Sequence, residues 1–235
     1  MILESPEDHL LRGFFVVKRK TMEEKTICEL LKFVDQELGT DHSGHDVQHA
    51  QRVVVNSRKI LEKEQGNEKI IVAAACLHDC IDHKLFSNID SQLEKIYVLL
   101  QNLGYTTVEI AEISDIIQTI SFSCKESRTL KTLNAQIVCD ADRLDAMGAI
   151  GIIRTIEYGN SRGRRFYEGY SDIEKVKKGA FDQISSTSTL AHFYDKLLLL
   201  NDLMYTQTAK KMAEKRYLFM MNFLTEFYDE IDNNL

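Results

Sequence analysis

The sequence is poor in the residues that interrupt helices. It contains one proline, 11 glycines and no tryptophan in 235 residues. Because alternating β-branched segments are also nearly absent, we expect an all-α fold. No apolar stretch approaches the roughly 20 residues that a membrane helix needs, so we expect no membrane partner. The N-terminus carries early acidic residues and lacks a basic, then apolar, then small-residue pattern, so no secretion signal is expected.

The cysteine pattern and the net charge narrow the possible compartment and partners. An odd number of cysteines without a Cys-x-x-Cys pair favours free thiols in a reducing compartment, the cytoplasm; they are Cys28, Cys76, Cys80, Cys124 and Cys139. The net charge of -7 argues against a duplex nucleic acid partner. It is compatible with a phosphorylated substrate, since a bound cation and a few basic side chains can offset the overall charge. The length predicts a single domain over residues 1–235.

Helical spacing of apolar residues predicts a series of helices. Their ranges are 21–38, the low forties to about 64, 67–80, 87–102, 106–121, 130–147 and 148–158, with long helices from 173 onward. Thr21 and Glu24 form a capping pattern for the first helix, and Gly39 ends it. The run from Ile70 to Leu77 is fully apolar, which predicts a helix at the centre of a bundle.

Ionisable residues crowd at the end of that apolar run, in LHDCIDHK. Burying an unpaired charge costs several kcal/mol, so a buried His78-Asp79 pair needs a partner, and a metal ion suits both side chains. For this pair alone, a solvated helix end is the alternative. With His49 and Asp142, two imidazoles and two carboxylates would occupy four positions of an octahedron and leave two for water and substrate. Such a site is typical of catalysis, whereas structural zinc sites more often use thiolates.

Four motifs carry a resemblance to a known family. SGHDVQHAQRV, LHDCIDHK, VCDADRLDAMGAIGI and HFYDKLLLL resemble the HD-domain metal-dependent phosphohydrolases, in particular the YedJ/YpgQ-like branch, from about residue 22 to 230. The resemblance implies an HD-domain helical bundle with one or two divalent metals. It also implies hydrolysis of a phosphoester or phosphoanhydride. For this branch the expected substrate is a nucleotide, with a nucleoside triphosphate split into monophosphate and pyrophosphate.

The resemblance assigns roles to individual residues. The metal ligands are His49, His78, Asp79 and Asp142, and Mn²⁺ is the expected ion, with Mg²⁺, Co²⁺, Ni²⁺ or Fe²⁺ as alternatives. Asp82 would orient or deprotonate the attacking water, and Lys84 would hold a substrate phosphate. A further set would contact the substrate: Arg52, Arg143, Asp145, His192 and Lys196. Each of these except Lys196 has a structural alternative, namely an ion pair for the arginines, a helix-end or metal-supporting position for Asp145, and a core position for His192.

The sequence also departs from the family pattern and leaves alternatives open. Val47 stands where related members commonly have Trp, which removes an aromatic wall for a base. His42, His45 and His83 could build a second metal site, but the glycine-tyrosine-proline segment of the binuclear branch is missing, so we expect one metal.

Two other functions, and two roles for one loop, are compatible with the sequence. An alarmone hydrolase is the second candidate, although Asp145 and Ala146 replace its His and Asn. A non-catalytic nucleotide sensor is the third. The arginines of the loop GNSRGRRFYEGYS would either reach a phosphate or form a solvated basic loop. The preferred nucleotide, the product, the native metal and the oligomeric state are not determined by the sequence.

Overall fold

A computed structural model describes residues 22–39, 46–83, 85–123, 130–167 and 187–232. All regular structure within these ranges is helical, which confirms the all-α prediction. The α-helices are α1 (Met22–Leu38), α2 (Val47–Leu61), α3 (Glu68–Leu77), α4 (Ile89–Asn102), α5 (Thr107–Ser123), α6 (Leu133–Asp145), α7 (Gly148–Ser161) and α8 (Gln207–Asp232). A 3-10 turn (His78–Ile81) continues α3, and a π turn (Phe193–Leu197) and a second 3-10 turn (Leu198–Leu203) precede α8. No helix in these ranges is both long and apolar enough to cross a membrane.

The chain divides into two compact units between Ala141 and Asp142. In the first unit α3 packs against α1, α2 and α5. Every residue from Ile70 to Leu77 is buried, so the predicted central helix is confirmed. At roughly 1.5 to 3 kcal/mol for each large apolar side chain, this burial is the main stabilising contribution of α3. The prediction of one domain over residues 1–235 stays a prediction.

The two ends of α3 are formed differently. Asn67 begins the helix, since its side-chain oxygen accepts a hydrogen bond from the amide of Ile70 at 3.4 Å. The predicted helix over 67–80 ends earlier as an α-helix, because the chain tightens into a 3-10 turn at His78. The amide of Asp82 closes that turn by donating to the carbonyl of Asp79 at 3.1 Å. The His-Asp pair therefore lies in a short, tight turn that contacts α1, α4 and α5.

The second unit contains α7, the two turns before α8, and α8 itself. Among the described residues, the long helices predicted from 173 onward are confirmed for α8, whereas residues 193–203 form short π and 3-10 turns. Asn201 and Asp202, which are poor helix formers, lie near the end of the second turn. The start of the predicted segment lies outside the described residues. Core positions of α8 include Met220, Leu224 and Tyr228.

Candidate metal centre

Three side chains of the first unit converge on one point. His49 Nε2 lies 3.3 Å from His78 Nε2 and 3.3 Å from Asp79 Oδ2, and His78 Nε2 lies 3.4 Å from Asp79 Oδ1. His49 is 2% exposed and His78 is 3% exposed, while 14% of the Asp79 side chain remains accessible. A buried pair of imidazoles therefore faces a carboxylate with one open side.

Local hydrogen bonds begin the helix that carries His49 and set the tautomer of His78. Asp46 caps α2, because its side chain accepts a hydrogen bond from the amide of His49 at 2.8 Å. His78 Nδ1 lies 3.0 Å from the carbonyl oxygen of Ala75. A carbonyl only accepts, so Nδ1 carries the proton and Nε2 presents its lone pair to the other two side chains.

The donor set fits a divalent cation. Atoms bound to one ion at about 2.0 to 2.2 Å lie roughly 3 to 3.5 Å apart in octahedral or tetrahedral geometry. The two imidazole nitrogens lie 3.3 Å apart, and each lies 3.3 or 3.4 Å from a different oxygen of Asp79, which falls in that range. Taken with one atom from each residue, all three ligand atoms lie within 4.8 Å of one another. Two imidazole nitrogens and a carboxylate oxygen are also the mixture that Mn²⁺, Fe²⁺, Co²⁺ and Ni²⁺ accept. His49, His78 and Asp79 would therefore hold such an ion through these atoms.

The cysteines near this cluster are buried thiols. Burial raises the pKa of the Cys76 thiol to about 12. Burial also raises the pKa of Cys80 well above its ordinary value, and the neighbouring Asp79 carboxylate adds to that effect. Among the described residues, the side chains close enough to share one ion are His49, His78 and Asp79, so Cys76 and Cys80 act as buried apolar residues.

Some of the other residues assigned to catalysis or to metal binding lie within the described part of the chain and some lie outside it. Asp82 directly follows the 3-10 turn and is half-buried, three residues after Asp79. Lys84 lies outside the described residues. Asp142 lies half-buried in the last turn of α6, and it belongs to the second unit. Of the histidines considered for a second metal, His83 is exposed, and His42 and His45 lie outside the described residues.

Two of the residues assigned to substrate binding, Arg143 and Asp145, form contacts within the protein. Arg143 is 8% exposed, donates to the carbonyl of Leu203, and lies over the Tyr205 ring with 5.1 Å between Cζ and the ring centroid. Asp145 is 2% exposed and accepts a bond from Arg154 at 2.6 Å. Arg52 is half-buried on α2. Their substrate-binding roles stay predictions.

The remaining two residues assigned to the substrate lie in the second unit. His192 is half-buried, and its Nδ1 lies 3.1 Å from Asp195 Oδ1. Lys196 is exposed one residue further along. Contact of either with a substrate stays a prediction.

Sequence reasoning missed three contacts that shape this region. Asn56 is 4% exposed and its amide donates to the carbonyl of Ala141 at 3.1 Å, which ties α2 to the residue directly before Asp142. The available signal was its helical spacing from His49, seven residues earlier on the same face. Arg154 and Arg216 contact the end of α6. Arg154 offered only a weak signal, a charge within an apolar run, and Arg216 offered none, because its partner Leu144 lies 72 residues away.

The chain is similar to known proteins in sequence and in fold. The HD-domain family model matches residues 46–147, a range that contains the three converging side chains. The protein YpgQ of Bacillus subtilis is 32% identical over 213 residues, covering 89% of this chain and 96% of YpgQ. The crystal structure of YpgQ in complex with ADP has a TM-score of 0.71 at 31% identity, covering 89% of this chain and 97% of that one.

A third relative is an HD-superfamily hydrolase from Bacillus thuringiensis. Its crystal structure has a TM-score of 0.71 at 35% identity and covers 90% of this chain and 99% of its own. Sequence identity of 31% to 35% over nearly the whole length of both chains indicates a shared family and not only a shared fold. The chain belongs to the HD-domain family as a YpgQ-like member, with the fold of the HD-superfamily hydrolases.

Proposed function

We propose that this protein is a metal-dependent phosphohydrolase that acts on a nucleotide and splits a nucleoside triphosphate into monophosphate and pyrophosphate. The observation that carries the proposal is the convergence of His49, His78 and Asp79 within 3.3 to 3.4 Å of one another. The similarity to YpgQ, whose crystal structure holds ADP, supports a nucleotide as the substrate. The family resemblance adds Asp142 as the fourth ligand.

The residues of the chain would divide the work of hydrolysis. A divalent cation held by these ligands would supply an acidified water and would offset charge on a phosphoryl oxygen. Asp82 is the residue proposed to orient the attacking water and accept its proton. Lys84 is proposed to contact a phosphate oxygen and stabilise the charge that develops there. The carbonyl of Ala75 keeps His78 in the tautomer that presents the Nε2 lone pair to His49 and Asp79.

A screen of metals against substrates tests the proposal. Purified protein, stripped with chelator, is given Mn²⁺, Mg²⁺, Co²⁺, Ni²⁺ or Fe²⁺ with a panel of nucleoside di- and triphosphates and guanosine tetraphosphate. We expect pyrophosphate release from triphosphates, fastest with Mn²⁺. Preference for guanosine tetraphosphate would identify an alarmone hydrolase instead. Tight binding of a nucleotide without release would identify a sensor.

Two histidine variants make the screen specific. His78→Ala removes one imidazole of the cluster and should reduce turnover by at least about 1,000-fold, since a ligand of the ion is lost. His83→Ala removes an exposed histidine five residues along the chain and should retain activity. Unchanged turnover in His78→Ala contradicts the metal mechanism. Equal losses in both variants contradict a single metal held by His49, His78, Asp79 and Asp142.

A further inference from the structure

The loop after α7 concentrates cations in a chain whose net charge is -7. Arg162, Arg164 and Arg165 are all exposed there, and Lys196 is exposed on the π turn of the same unit. Ion pairs in the described part of this unit include Asp145 with Arg154 and Asp195 with His192. None of the four cations is paired with a carboxylate among the described residues. We call these four residues the cationic patch.

The backbone holds this loop in a defined conformation. Gly163 has a φ of +66°, which favours glycine, and the amide of Arg164 donates to the carbonyl of Gly159 at 2.9 Å, closing the end of α7. The amide of Thr189 in turn donates to the carbonyl of Arg165 at 2.9 Å. A Cβ on Gly159 would lie 2.0 Å from Thr189 Oγ1, so only glycine permits this close approach.

The side chains of the loop are also arranged around one ring. Arg162 Cζ lies 5.3 Å and Arg164 Cζ 5.6 Å from the centroid of Tyr158. Contact with an aromatic ring attracts each guanidinium, whereas the two guanidinium charges repel each other. An anion that binds both would relieve that repulsion.

The segment that carries Lys196 begins beside this loop. The amide of Leu190 donates to the carbonyl of Phe166 at 2.9 Å, next to the bond from Thr189 to Arg165. Lys196 is exposed on the π turn that follows. The loop cations and Lys196 therefore lie on adjoining segments of the second unit.

We propose that the cationic patch binds the phosphate chain of a nucleotide. The choice of a nucleotide rests on the proposed function, and the patch itself rests on contacts within the second unit. A guanidinium presents paired N–H donors that match phosphate oxygens, and a lysine adds a mobile point charge. Arg162 and Arg164, held at one ring, supply the fixed donors. Lys196 supplies a third charge for a longer chain of phosphates.

Calorimetric titration with inorganic tripolyphosphate, and separately with ADP, tests the site in the presence of EDTA, so that no divalent ion contributes. The variant Arg164→Gln/Lys196→Gln removes two charges of the patch. We expect its affinity for tripolyphosphate to fall at least about 10-fold, because charge-assisted contacts are lost. The matched control, Lys210→Gln/Lys211→Gln, removes two exposed charges from α8 and should change the affinity by less than about 2-fold.

Each outcome decides the proposal. Equal weakening in both variants would show a general charge effect and overturn the patch, as would a wild-type protein that does not bind tripolyphosphate. Nucleotide hydrolysis measured on the same proteins separates this proposal from the proposed function. Weaker binding in the patch variant alone supports the patch even where no nucleotide is hydrolysed. Hydrolysis with an unchanged KM in that variant overturns the patch and leaves the hydrolase intact.

Discussion

Two acidic clusters occur at the ends of apolar helices, and the structure resolves them differently. The first, at His78-Asp79, brings a carboxylate against two imidazoles with separations of 3.3 to 3.4 Å. The second, at the end of α6, brings Asp145 against Arg154 at 2.6 Å. The two clusters look alike in sequence. Asp79 faces two imidazoles, whereas Asp145 forms an ion pair within the protein, and Asp142 is the member of the second cluster that is proposed as a metal ligand.

Arginines surround the second cluster. Arg216 donates to the carbonyl of Leu144, and burial lowers its pKa while the carboxylate of Asp145 acts in the opposite direction. Arg143 donates to the carbonyl of Leu203. Asp145 therefore stabilises a turn between helices. The comparison indicates that a carboxylate buried at a helix end has a cation nearby. The fold determines whether that cation is a metal ion or an arginine side chain of the protein.

Asp145→Asn should give the largest effect on stability. It removes the charge that balances Arg154, and breaking a buried pair costs ~3 to 5 kcal/mol. Because 23% of the Arg154 side chain is exposed, screening reduces the expected loss to about 2 kcal/mol. Urea unfolding of the metal-free protein measures it. The affinity for Mn²⁺ should stay within about 3-fold of wild type, since the ion pair is expected to act on the fold alone.

His78→Ala is the matched comparison and should behave in the opposite way. Wild-type protein at a Mn²⁺ concentration of ~100 Kd should gain about 2.7 kcal/mol, and the variant should gain none. The same urea titrations, with and without Mn²⁺, give both values. Asp145→Asn protein that unfolds like wild type but has lost Mn²⁺ affinity would contradict the distinction between the clusters and make Asp145 part of the metal centre.

Gly148→Ala tests the turn that separates α6 from α7. Gly148 has a φ of +72°, which costs an alanine ~1 to 2 kcal/mol, and its Cβ would lie 3.1 Å from Arg216 Cγ. We expect a loss of about 1.5 kcal/mol in thermal or urea unfolding. Gly104→Ala is the control, since Gly104 has a φ of +79° and no atom within 4 Å of the added Cβ. If Gly104→Ala loses less stability than Gly148→Ala, the difference measures the contribution of the contact with Arg216. Equal losses in the two variants would show that the backbone conformation alone determines the cost.

The sequence predicted those parts of the structure that depend on local patterns. The apolar run of α3 consists of neighbouring residues, so the sequence alone predicts this helix. The 3-10 turn at His78 was not predicted, because the choice between i→i+3 and i→i+4 bonding follows from packing against α1, α4 and α5.

Pairs distant in the chain were harder to predict than helices. The approach of His49 to His78 was expected from their metal-ligand chemistry and from the family resemblance, since no local pattern joins residues 29 positions apart. Arg216 lies 72 residues from Leu144, and such a pair has no periodic signal. Arg154 did offer a weak signal, as a single arginine within the apolar run GAIGIIRTI. A charge in that position requires a partner, but the sequence does not say which.

Asp46→Ala should give the smallest effect and tests whether the helix cap orients the metal centre. Losing the cap of α2 costs ~1 kcal/mol and frees the amide of His49, which begins the turn carrying that imidazole. Asn88→Ala removes the equivalent cap of α4, where the side chain accepts from Ser91 at 3.0 Å, and should cost the same stability. Calorimetry should show Mn²⁺ binding weakened several-fold by Asp46→Ala and unchanged by Asn88→Ala. If both caps lower stability equally and neither alters the metal affinity, then His49 is held by the packing of α2 on α3 and its cap only stabilises the helix.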